Sequence, residues 1–212
     1  MKQTAKKVCD NIHEKTAWEE NRLLLGIDEA GRGALAGPMA VAGVVFPQGY
    51  DNPDIYDSKA LSAAKREKLF DIICHDAVYY EIRFVYPEEI DRKNIYHADQ
   101  DAMTAIAEDI PVPFVLTDAM PLKLQDTSRD VLDIVKGDRK SVSIAAASIL
   151  AKVSRDRLMV YYDSLWPAYG FGAHKGYGTA QHLEAIEANG ITPIHRRSFA
   201  PASYHQEQLD LF

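Results

Sequence analysis

The chain has 212 residues, 47% hydrophobic and 26% charged, enough to bury the core of one ordinary domain and too apolar for disorder throughout. Its 31 acidic residues outnumber 24 basic ones, and the formal charge of −7 repels a polyanion at long range, leaving any such recognition to local patches. Two cysteines without framework or metal-ligand spacing, an amino end lacking a signal-peptide core, and no apolar run near the ~20 residues of a bilayer span predict a cytoplasmic protein with no membrane partner.

Taken in order, 23–28 is apolar without alternation and reads as a strand buried on both faces, followed after a glycine-rich loop by a second strand over 41–46. The two are expected to pair as a long-looped hairpin. "SAAKREKLFDIICHD" places Leu69, Ile72 and Ile73 on one helical face, with Ser62 as the cap. "AVYYEIRFVY" alternates, setting Val78, Tyr80, Ile82, Phe84 and Tyr86 against the intervening residues, and Pro87 stops it. A helix over 98–108, a strand over 114–118 and a short strand over 131–135 follow, then an alanine-rich helix over 143–162. From 166 onward the reading is loop, with a helical segment over 180–188. Five strands with helices on their faces predict an α/β fold with a sheet of mixed direction.

Charge is unevenly spread. Residues 76–109 hold nine acids and three bases, whereas 136–157 hold six bases and two acids. Against that background three acids stand out at the ends of expected strands: Asp28, with Glu29 beside it, Asp118 closing "PFVLTD", and Asp138 after "VLDIVKG". Strand ends in one sheet gather at an edge, so these acids can converge. Clustered carboxylates repel one another unless a cation joins them, and an oxygen-rich set suits Mg²⁺ or Mn²⁺. Two such ions ~3.5–4 Å apart can activate water and stabilise the leaving oxygen of a phosphodiester. Asp126, Asp130 and Asp133 compete with Asp118 but end no apolar strand. Asp156, in "SRDRL", is expected to pair with Arg155 or Arg157.

"GIDEAGRGALAGP", "DSKALS" (57–62), "KGDRKSVSIAAASILAKVSRDRLM", "HKGYGT" (174–179) and "GITPIHRRSFAP" occur in the order seen in ribonuclease HII, the type 2 ribonuclease H of bacteria, and the chain resembles that family over about 23–201. The resemblance implies a ribonuclease H-like fold, with a five-stranded mixed sheet flanked by helices and a small C-terminal helical region. It implies an endoribonuclease that hydrolyses RNA in RNA/DNA hybrids and cuts 5′ of ribonucleotides embedded in duplex DNA, leaving 3′-hydroxyl and 5′-phosphate ends. A role in ribonucleotide removal during replication and repair goes with it. Asp28, Glu29, Asp118 and Asp138 match the catalytic and metal-binding acids of a two-metal site. Gly31, Arg32 and Gly33 match the turn that reads the ribose 2′-hydroxyl, where two residues without Cβ let backbone approach a sugar. Tyr177 matches the tyrosine that packs on that sugar. Lys59 is a candidate substrate contact, and Ser58, Lys175, Arg196 and Arg197 are candidate phosphate contacts. Ala119 departs from the family, standing where a glycine commonly follows the third acid.

On this reading 1–22 is an N-terminal extension, expected to be helical; 23–165 is the catalytic domain; 166–201 contributes to substrate binding; and 202–212 is a flexible tail. That tail ends in Gln208, Leu209, Asp210, Leu211 and Phe212, similar to the short peptides that dock on the DNA sliding clamp. Nothing suggests an obligate oligomer, so a monomer is expected. Two other classes fit less well. A dinucleotide loop needs G-x-G-x-x-G, but Gly31, Gly33 and Gly37 run one residue longer, and Asp28 with Glu29 would repel pyrophosphate. A non-catalytic nucleic-acid adaptor would gain nothing from four acids facing phosphates.

Overall fold

The computed structural model describes residues 8–200. Five strands, β1 (Leu24–Ala30), β2 (Met39–Val45), β3 (Tyr79–Val85), β4 (Phe114–Asp118) and β5 (Asp130–Ile134), form one sheet in the order β3-β2-β1-β4-β5. β1 and β2 pair antiparallel, as the hairpin reading expects, and so do β2 and β3; β4 runs parallel to both β1 and β5. The strand that carries Asp28 and Glu29 is therefore central, flanked by the wholly apolar β2.

Among the described residues seven helices surround the sheet: α1 (Ile12–Glu19), α2 (Ala63–Asp76), α3 (Pro87–Lys93), α4 (Ile95–Asp109), α5 (Val142–Leu165), α6 (Phe171–His174) and α7 (Ala180–Asn189), with short 3₁₀ turns at Ser58–Ala60, Gly137–Arg139 and Pro167–Tyr169. On one face Met103 and Ile106 of α4 pack against Leu25, Ile27, Val41 and Val115. On the other, Ala145, Ile149 and Leu150 of α5 and Leu69 and Ile73 of α2 cover Ala42, Val44 and Phe46. α5 lies so close to the sheet that a Cβ on Gly26 would sit 2.4 Å from the Ile144 backbone nitrogen. A third core, with Met159, Tyr169, Phe171, Ile186 and Ile194, ties the C-terminal helices to the far end of α5.

Several expected boundaries move. β1 continues two residues beyond Asp28, because Glu29 and Ala30 pair with Val41 and Ala40. Asp138 lies in the 3₁₀ turn after β5 rather than at the strand end. Pro87 stops β3 but also starts α3, where its missing N–H costs nothing in the first turn. α4 begins earlier than its apolar period suggests, since the Asn94 side chain accepts from the Tyr96 and His97 amides. The alternation of β3 is not kept: Tyr80 and Tyr86 are exposed while Ile82 and Phe84 pack inward, as an edge strand allows. Helix α6 and the 3₁₀ turn before it replace an expected loop. Within the described part of the N-terminal extension, α1 and the residue before it cap α5: Asn11 Oδ1 accepts from Val142 N and buried Glu14 from Ser143 N, while Ser141 Oγ, at the helix's own N-cap, accepts from Ile144 N. These bonds satisfy amides that have no partner within the helix.

Candidate active site

β1 carries Asp28 to the sheet edge, where it is 5% exposed. Its Oδ1 accepts the Glu29 amide at 2.7 Å, and a further hydrogen bond comes from Ser148 of α5. Burial, then Glu29 and Asp118, push the Asp28 carboxyl well above its ordinary range. Glu29 is raised mainly by burial and by Asp118, with Arg32 opposing. Asp138, 6% exposed, is raised by burial, then by Asp57 and Asp118, against Lys59 and Arg139. Asp118 thus acts on each of the other three. Its own Oδ1 accepts the Gly137 amide at 2.9 Å, which joins the end of β4 to the turn bearing Asp138.

The arrangement is an electrostatic problem in search of a cation. No base is among the groups that bear on Asp28. The donors are hard oxygens, which fit a divalent ion such as Mg²⁺ or Mn²⁺. Among the described residues no three carboxylates, imidazoles or thiols close into a finished cage. An open set suits Mg²⁺, which keeps several waters and takes substrate oxygens beside one or two carboxylates.

Next to the acids is a cavity of about 280 Å³, bounded by Glu29, the Gly31–Arg32–Gly33 turn, Ser58, Lys59 and Tyr177. Ser148 and Lys152, which the sequence reading does not single out, complete its wall. Tyr177 is 37% exposed, with Lys152 Nζ 5.9 Å and the Arg155 guanidinium 5.4 Å from its ring centre. The turn itself is braced from behind. Gly31 has φ 90°, and a Cβ there would meet Arg155 Nε at 1.8 Å. Arg155 is fully buried and donates to the carbonyls of Pro38, Ala36 and Lys175.

Chain similarity agrees with this geometry. A family model described as Ribonuclease HII matches residues 25–202. The chain belongs to the ribonuclease HII family. Ribonuclease HII of Listeria innocua is 49% identical over 191 residues, covering 88% of this chain and 72% of that protein. Among solved structures, ribonuclease H2 of Pyrococcus horikoshii superposes with a TM-score of 0.75 at 25% identity, covering 89% of this chain and 99% of that one. The ribonuclease HII of Archaeoglobus fulgidus, solved as a complex with PCNA, gives 0.71 at 27%, covering 84% and 95%. The fold is ribonuclease H-like, and the enzyme is a ribonuclease H, a hydrolase acting on RNA/DNA hybrids.

Several expected contacts are placed elsewhere in this enzyme. Arg196 cannot hold a phosphate: it is fully buried, and its guanidinium donates to the carbonyls of Gly31 and Arg32, both at 2.7 Å, and of Gly37 at 3.1 Å. Ser58 is buried, and its hydroxyl pairs with that of Ser148 at 2.9 Å, continuing toward Asp28. The Lys175 ammonium donates to the Gly172 carbonyl and lies outside the cavity, in a groove between α2 and α5. The Arg197 amide donates to Asp91, and its side chain lines a separate cavity with Pro87 and Pro193. Lys59 stays at the cavity, while its neighbour Asp57 holds Arg139 at 2.7 Å beside Asp138. Asp156 pairs with Lys152 at 2.7 Å, one helical turn away, instead of with Arg155 or Arg157. Arg157 pairs with Glu67.

Ala119, the departure noted above, has φ 54°. The chain leaves β4 in a left-handed turn there, a conformation in which a Cβ costs ~1–2 kcal/mol and glycine costs little. Asp99 is the residue missed outright. It is fully buried; among the described residues no hydrogen bond reaches either of its oxygens, and it forms an ion pair with Arg32 at 3.3 Å. Burial and Glu29 push its carboxyl up to about 8. The signal was legible: Asp99 shares helical spacing with Ala102, Met103 and Ile106, which puts an acid on an apolar stripe.

Proposed function

We propose that this enzyme cuts on the 5′ side of ribonucleotides embedded in duplex DNA as well as in RNA/DNA hybrids, leaving 3′-hydroxyl and 5′-phosphate ends, and serves ribonucleotide removal in the cytoplasm. The observation that carries the reading is the placement of Asp118, whose charge bears on Asp28, Glu29 and Asp138 at once beside a cavity walled by a glycine-rich turn. Asp28, Glu29, Asp118 and Asp138 would hold Mg²⁺ or Mn²⁺, two ions in the full reading, which when bound supply an activated water and neutralise charge on the leaving oxygen.

The chain's own groups do the rest. Backbone of the turn approaches the ribose at Gly33, where a Cβ would meet open space, while Gly31 leaves room behind the turn for Arg155, and Arg32 is anchored by Asp99. Tyr177 packs on the sugar, a contact in which a 2′-hydroxyl distinguishes RNA from DNA. Lys59 and Lys152 face the same cavity and suit phosphates on either side of the bond to be cut. The test is a duplex with one ribonucleotide. Nicking 5′ of it with Mg²⁺ or Mn²⁺, through ends that a DNA ligase can reseal after the ribonucleotide is replaced, is the expected result; undiminished nicking in excess chelator overturns it.

The tail supports a second reading, docking on a sliding clamp through Gln208, Leu209, Asp210, Leu211 and Phe212. These residues lie outside the described ones; the support is their sequence and the archaeal ribonuclease HII solved with PCNA. Removing 208–212 is expected to abolish clamp capture while cleavage of free duplex continues at the full rate. Equal capture of the full and shortened chains would exclude the tail.

A further inference from the structure

Behind Tyr177, three histidines gather with Tyr169 and Phe171 in the core that joins α5 to the C-terminal helices: His174 stacks on His182, Tyr169 on Phe171, and Phe171 meets His174 and His182 edge-on. His182 and His195 are 0% and 1% exposed, and burial lowers both to about 4, so each imidazole is neutral at neutral pH. A neutral imidazole has one donor and one acceptor nitrogen, and the neighbours decide which is which.

The direction can be read from one end. The Thr192 amide donates to His195 Nδ1 at 2.8 Å, and an amide N–H can only donate. Nδ1 therefore carries no proton, and the proton of His195 is on Nε2. That Nε2 lies 3.1 Å from His182 Nε2, which must accept. His182 then carries its proton on Nδ1, which lies 3.0 Å from the carbonyl oxygen of Tyr177. His174 is fixed in the same way: its Nδ1 accepts the Gly176 amide at 3.2 Å and its Nε2–H donates to the Tyr169 carbonyl at 2.8 Å. Gly176 in turn offers its carbonyl to the amides of Leu35 and Ala36, in the loop between β1 and β2.

We infer that His195 and His182 are positioning residues, a one-way hydrogen-bond relay from the Thr192 amide to the Tyr177 carbonyl that fixes the tyrosine against the substrate turn. The inference rests on the reading of Tyr177 as a sugar contact. Neither histidine touches the cavity, so their effect is on substrate affinity and not on the chemical step. The two side-chain amides separate this role from simple packing. In His195→Asn an oxygen can replace Nδ1 as acceptor for Thr192, but the side chain falls short of His182. In His195→Gln the amide nitrogen occupies the place of Nε2 and can still donate to His182.

Two measurements test the relay on the full chain. Nitrogen-15 NMR of the unmodified enzyme should show the Nδ1–H form for His182 and the Nε2–H form for His195 and His174. The opposite form at His182 overturns the assignment without reference to activity. In cleavage of a duplex with one ribonucleotide, His195→Asn is expected to raise KM about tenfold, the effect of one lost hydrogen bond, with kcat within about twofold and near-normal KM in His195→Gln. If Tyr177→Ala raises KM but His195→Asn does not, the relay has no positioning role. If Tyr177→Ala itself leaves KM unchanged, the sugar-contact reading falls and the inference with it.

Discussion

Asp118→Asn is expected to reduce kcat by at least about 10³-fold, equivalent to roughly 4 kcal/mol of transition-state stabilisation, while the protein folds normally. The replacement is nearly isosteric and keeps an oxygen to accept the Gly137 amide, so the junction of β4 with the Asp138 turn survives. What disappears is the one negative charge that bears on Asp28, Glu29 and Asp138 together. Without a cation present those acids repel, so thermal stability of the variant in chelator should equal or exceed that of the parent. Rate assays with saturating Mg²⁺ and melting curves in chelator check both halves. A variant that keeps full activity would remove Asp118 from the catalytic set.

Arg196→Met is expected to destabilise the fold by about 3 kcal/mol, a fall in Tm of roughly 10 °C, with the damage centred on the substrate turn. Among the described residues the buried guanidinium forms no ion pair, and burial and Arg155, against Tyr177 and Asp91, lower it to about 9. Methionine escapes that desolvation cost, but it strips the guanidinium bonds from the carbonyls of Arg32 and Gly37 and leaves Gly31 with only the long Ala34 amide bond at 3.3 Å. Orphaned buried carbonyls cost more than the relief returns. A phosphate contact would behave differently, weakening binding and lowering the salt slope by about one charge with Tm unchanged. Melting and salt titration of binding therefore decide between a brace and a contact.

The two roles explain which residues the sequence disclosed. The positions of the strands, the first hairpin, the glycine turn and the strand-end acids follow from local pattern, whereas the order β3-β2-β1-β4-β5 rests on long-range pairing. Asp118 was legible because "PFVLTD" closes on it, and β4 ends there. Arg155 and Arg196 were not, because an arginine committed to backbone carbonyls has the same sequence signature as one facing solvent. Only burial distinguishes them. In "HRRSF" Arg196 has the same standing as a candidate phosphate contact as its neighbour Arg197, which is exposed while Arg196 is buried. Asp99 is legible only when the acids of α4 are set on the same helical period as Ala102, Met103 and Ile106, since its charge alone assigns it to solvent. Ser148 sat unnoticed in an alanine-rich helix, although its hydroxyl reaches Asp28.

The bonds from Arg196 to the carbonyls of Gly31 and Arg32 join residues 165 and 164 positions apart. At synthesis rates of about 5–20 residues per second, that separation is roughly 10–30 s of translation. The acids of β1 and the turn beside them are thus among the first parts of the body to be made and among the last to be secured. A nascent or truncated chain can bury most of the sheet and still present a slack recognition turn. If this turn is the ribose contact proposed above, selectivity for ribose waits until Arg196 has reached the carbonyls of Gly31 and Arg32.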